Sequence, residues 1–150
     1  MSLLLPILAA AASVSSPLLG TWAVDVSRLP IPPESRPKSV TFTFNLVQGG
    51  KWKTDVEIKG GDGSDRRMTS TCQPDGSPCA IEGDTAEANS AATKLSQPGV
   101  MILALSKSGV PASTRIYAAA PDGNTMVETA VYFTDDGKPV MRTNYFTRVR

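Results

Sequence analysis

The stretch from Asn124 to Val149 leaves this chain the fewest ways to fold. Two runs rich in β-branched and aromatic residues, one ending at Thr134 and one starting at Lys138, flank Asp135-Asp136-Gly137. A type I turn completed by a left-handed Gly makes a three-residue hairpin loop with a bulge, and Asp-Asp-Gly suits it. Thr134 then faces Lys138, and Val127, Thr129, Val131 and Phe133 share a sheet face with Met141, Thr143 and Tyr145. A two-residue loop at Asp136-Gly137 would instead set Val131 opposite Arg142, because a one-residue slip turns a whole strand over. The three-residue loop keeps apolar and charged side chains apart.

The same alternation of short β-rich runs and turn residues extends upstream. Val40, Phe42, Phe44 and Leu46 alternate with Thr41, Thr43 and Asn45. After Gly49-Gly50 the pattern returns, with Trp52, Val56 and Ile58 inward and Lys51, Lys53, Asp55 and Glu57 toward water. Gly60-Gly61-Asp62-Gly63 turns the chain into a polar strand from Arg66 to Cys72. Val100 to Leu105 and Ser113 to Ala119 form a further pair about Ser108-Gly109, and Ala120 to Asn124 is the next turn. The Pro-rich run from Leu29 to Pro37 must lie outside any ladder, since Pro has no N–H to donate. Only Thr85 to Leu95 has helix-compatible composition, and there helix and strand both remain open. Asp-Gly recurs at Asp62, Asp75, Asp122 and Asp136 as reused turn chemistry, because the flanking strands match at no fixed period. The expectation is an all-β, antiparallel meander of roughly nine to ten strands, closed into a small barrel or packed as a sandwich.

The 150 residues include no His and carry a net charge of +1. Without His, metal hydrolases and His-dependent triads are nearly excluded, and no Lys is placed to activate a Ser or Thr. We expect no enzymatic activity, no metal and no cofactor. Nucleic acid is an unsuitable partner for a chain without a basic stripe. Residues 1–16 are apolar and then small, as in a signal peptide, although no Lys or Arg precedes the apolar run. That run is shorter than the roughly 20 apolar residues a membrane span needs. Cleavage after Ala12, or a few residues later, would leave 17–150 as one domain in the periplasm or outside the cell. Cys72 and Cys79 flank a turn, and a four-residue loop from Pro74 to Ser77 sets them opposite each other, as a disulfide requires.

Gly20-Thr21-Trp22 at the start of the first strand, followed by a meander with Asp-Gly turns, resembles the lipocalin superfamily, whose opening strand carries Gly-x-Trp. The likeness is nearest to uncharacterised exported bacterial lipocalin-like barrels, on Asp25, Pro37-Lys38-Ser39, Gly83-Asp84 and Asp122 to Met126. The resemblance implies a calycin-type barrel over 17–150, Arg148 packed over Trp22, and a ligand cavity inside.

Carrying the strand register from the last hairpin to its neighbours sorts this sheet into two faces. With Ala120 opposite Asn124, Arg115 and Tyr117 join Val100, Ile102, Val127, Thr129, Val131, Thr143 and Tyr145. Met101, Leu103, Glu128, Ala130, Arg142, Asn144 and Phe146 fall on the other face. If the first face is interior, Arg115 has no carboxylate partner there. A fatty-acid carboxylate would satisfy it, beside Tyr117, Thr129, Thr143 and Tyr145. Arg115-Ile116-Tyr117 is similar in this local pattern to the Arg-x-Tyr of intracellular lipid-binding barrels. The bland alternative lets Arg115 snorkel to the rim. If the second face is interior, Glu128 and Arg142 form an internal ion pair that needs no ligand. Both faces are largely apolar, so the outer one is a candidate surface for a homodimer or protein partner. Two functions follow: a carrier of a small apolar or carboxylate ligand, or a protein-binding or inhibitor module whose barrel is filled by side chains.

Overall fold

The computed structural model describes residues 15–150. The leader expected over 1–16 lies almost wholly outside the described residues. Ten strands run in chain order: β1 (Gly20–Val24), β2 (Ser39–Val47), β3 (Lys51–Lys59), β4 (Asp65–Cys72), β5 (Asp75–Gly83), β6 (Ser90–Gln97), β7 (Val100–Lys107), β8 (Val110–Ala119), β9 (Thr125–Phe133) and β10 (Pro139–Arg148). Each pairs antiparallel with its sequence neighbours, and β1 pairs with β10, so the meander closes into a barrel. Closure leaves no free sheet edge. The segment left open between helix and strand resolves as loop and β6, whose Ala91 and Thr93 point into the barrel.

The last hairpin has the three-residue loop. Thr134 N–H donates to Lys138 O at 2.9 Å, Gly137 takes φ +79°, and Thr129 stands opposite Thr143. Cys72 and Cys79 are bonded with Cα atoms 5.3 Å apart, in line with the β4–β5 register that pairs Ser70 with Ile81.

One end of the barrel is plugged. Leu18, Trp22, Phe44, Trp52, Met101, Met126 and Phe146 are fully or almost fully buried there, and Phe44 packs on Trp52 with ring centres 5.7 Å apart. The Trp22 indole N–H donates to Leu18 O at 2.7 Å, tying the segment before β1 across this end. Arg148 lies 4.1 Å above the Trp22 ring and donates to Leu19 O, Pro17 O and Gly123 O at 2.5 to 2.6 Å. Its guanidinium thus satisfies three loop carbonyls while its flat face covers the indole. Gly20 is required here: it takes φ +111°, and a Cβ would come within 2.7 Å of Arg148 Nη1.

Candidate functional site: the open half of the barrel

The opposite end is not filled. A cavity of about 640 Å³ opens between the β1–β2 connector and the β3–β4 and β5–β6 loops. Its floor is Phe42 and Tyr117, whose ring centres are 5.9 Å apart. Its walls are mostly apolar: Val40, Val56, Ile58, Met68, Ile81, Leu103 and Leu105. The Pro-rich connector stays outside the ladder, as its missing N–H groups demand, and forms two short 3-10 turns (Val26–Arg28 and Pro33–Ser35). Between them Leu29 and Ile31 project over the mouth.

One wall is polar, and β8, β9 and β10 build it. The β8–β9 ladder sets Tyr117 opposite Glu128 and Arg115 opposite Ala130; the β9–β10 ladder sets Glu128 opposite Asn144 and Ala130 opposite Arg142. Two inward rows result, Tyr117-Glu128-Asn144 over the floor and Arg115-Ala130-Arg142 one level nearer the mouth. Ala130, fully buried, stands between the two arginines in this row.

Glu128 is the hub. Its Oε1 accepts from Arg115 Nη1 at 3.0 Å and from the Tyr117 hydroxyl at 2.9 Å, and its Oε2 accepts from Asn144 Nδ2 at 2.6 Å. A carboxylate this deeply buried is tolerable because three donors converge on it. Glu87, from the β5–β6 loop, adds a second carboxylate to Arg115 at 2.5 Å and accepts from Ser113 Oγ at 3.0 Å. Burial opposes the charge on Arg115, but the Glu128 and Glu87 carboxylates beside it favour the charged form, and its pKa is raised above the ordinary guanidinium value. Burial also pushes the Tyr117 phenol well up, and the Glu128 charge acts in the same direction. Tyr117 therefore remains a hydrogen-bond donor at neutral pH.

This arrangement corrects the sequence-based site. Arg115 and Tyr117 line the cavity, but Thr129, Thr143 and Tyr145 point outward, and Arg28 stacks on the outer face of Tyr145 at 3.3 Å. Arg115 is not without a carboxylate: Glu128 shares its face. The expected Glu128–Arg142 ion pair is replaced by Glu128–Arg115.

Both errors have one cause, a reversal of β8 relative to its neighbours. The β8–β9 loop holds four residues, Pro121 to Asn124, closed by Ala120 N–H to Thr125 O, with Asp122 accepting from Asn124 N–H at 2.8 Å. That shifts β8 by one residue against β9. On its other side, the two-residue Ser108-Gly109 turn is as expected, but a bulge between Leu105 and Ser106 moves Arg115 from Ile102 to Leu103. The two slips leave β7, β9 and β10 in their expected sets and turn β8 over alone.

The interior therefore combines an apolar chamber with a satisfied ion pair and, beyond it, Arg142. Among the described residues Arg142 forms no ion pair; its guanidinium lies over the Tyr132 ring, 5.6 Å from the ring centre. No group of acidic, Cys or His side chains suited to a metal ion occurs among the described residues. No helix among them is long and apolar enough to cross a membrane. The chain matches no known protein-family model and no curated protein. The closed ten-strand barrel is compatible with a lipocalin-like fold.

Proposed function

We propose that this protein is an exported binding protein, not an enzyme, that takes up a small apolar or amphipathic, fatty-acid-like molecule through the open end of its barrel. The cavity of about 640 Å³ carries this reading, because its apolar walls face a few convergent polar groups on one side. Its volume falls in the range of roughly 300 to 1,000 Å³ that small-molecule sites occupy. The disulfide is compatible with an oxidising compartment, periplasmic or extracellular.

Uptake of the uncharged fluorophore N-phenyl-1-naphthylamine tests it. Saturable, one-to-one fluorescence enhancement is expected, and Val40→Trp or Val56→Trp, which fill the chamber, should abolish it. A folded protein that takes up none of the probe would end this reading.

A second reading rests on the outer surface. Val131, Phe133 and Met141 form an apolar stripe on β9 and β10, with Phe133 70% and Met141 75% exposed. Such a stripe suits a protein partner or a second copy. A dimer in light scattering that Phe133→Ser and Met141→Ser dissolve would favour it.

A further inference from the structure

Five buried side-chain polar atoms have no hydrogen-bond partner within the described protein, and three of them belong to cavity-lining residues: Arg142 Nε, Asn144 Oδ1 and Thr54 Oγ1. Two of the three sit on β10 two residues apart, on one face and at neighbouring depths. Their chemistry is opposite. Arg142 can only donate, and its charge has no carboxylate partner among the described residues; residues 1–14 contain no Asp or Glu. The unmet atom of Asn144 can only accept, because it is the amide oxygen; the amide nitrogen donates one N–H to Glu128, which as a carboxylate accepts and does not donate. Asn144 is 94% buried, so its free oxygen is held away from bulk water, where an unmet acceptor is costly.

We infer that Arg142 and Asn144 form the polar anchor of the cavity, and that it selects ligands whose head joins a carboxylate to an adjacent N–H or O–H donor, as in N-acyl amino acids and hydroxy fatty acids. The inference rests on reading the cavity as a ligand site. The carboxylate pairs with the Arg142 guanidinium, the donor meets Asn144 Oδ1, and the acyl chain lies along the apolar walls beneath Leu29 and Ile31. Arg115 is not the anchor, since Glu128 and Glu87 already neutralise it. A plain fatty acid satisfies only Arg142, a fatty alcohol lacks the charge, and an N-methylated acyl amino acid lacks the donor.

Displacement of N-phenyl-1-naphthylamine by a twelve-carbon series, below micelle-forming concentrations, tests this. Dodecanoate is expected to compete about tenfold better than dodecanol, the scale of one charge-assisted hydrogen bond. N-dodecanoylglycine is expected to gain about another fivefold, which N-dodecanoylsarcosine, without an N–H, should not. Arg142→Gln should bring acids and alcohol level while retaining the probe, and Arg142→Lys should restore part of the preference. If the probe binds but acids and alcohol compete equally, the anchor is wrong and the cavity reading stands. If the glycine and sarcosine conjugates compete equally, Asn144 has no part in selection. If the probe never enters the folded protein, both readings fall.

Discussion

The two ends of this barrel use the same components to opposite effect. At the closed end, Arg148 lies against Trp22 and spends its donors on three backbone carbonyls, leaving the guanidinium satisfied and the end sealed. At the open end, Arg115 is neutralised by Glu128 and Glu87, whereas Arg142 is left without a counter-ion among the described residues. The aromatic side chains show the same division: Trp22, Phe44, Trp52 and Phe146 fill the lower barrel, and above Phe42 and Tyr117 the cavity opens. Packed side chains therefore fill one half, and the other half keeps the cavity. Substitutions should separate accordingly.

The largest effect is expected from Arg148→Ala, at about 3 kcal/mol of unfolding free energy in urea, because it strands three carbonyls and uncovers Trp22. A loss below about 1 kcal/mol would show that the closed end is held by packing alone. Glu128→Gln, at the boundary of the halves, should cost about 2 kcal/mol, because Arg115 and Tyr117 lose the carboxylate they converge on while Glu87 remains on Arg115. Removing the disulfide by Cys72→Ser with Cys79→Ser should cost about 2 kcal/mol, the scale of a short loop closed by one bridge, with probe uptake preserved. Glu87→Gln, on the loop over the mouth, should change stability by less than about 1 kcal/mol, and its effect should fall on ligand affinity.

The smallest effect concerns pH. The folded pKa of Tyr117 lies above its unfolded value, so folding favours the protonated phenol. The stability this brings is complete below about pH 10 and drains as pH rises from there toward the folded value. Melting temperature should thus fall across the alkaline range, and Tyr117→Phe should flatten that fall. An unchanged slope in the variant would place the sensitivity elsewhere.

What local chemistry alone determines, this sequence states openly. Asp-Asp-Gly chooses a three-residue loop, Gly20-Thr21-Trp22 opens a barrel strand, and Cys72 and Cys79 sit where only a four-residue loop lets them bond. Alternation from Val40 to Ile58 marks one wall of the core, because period-two burial is a property of the strand itself. The facing of β8 is different in kind. Pro121 to Asn124 can close as three or four residues, and the bulge beside Leu105 carries no turn signature, so neither slip is written in a short segment. Closing ten strands into one ring decides both together: β8 must meet β7 and β9 at once, and the bulge and the four-residue loop that allow this turn Arg115 and Tyr117 toward Glu128. The composition of the interior is thus legible from the chain, whereas which Arg is paired and which is left without a counter-ion among the described residues is settled only when the barrel closes.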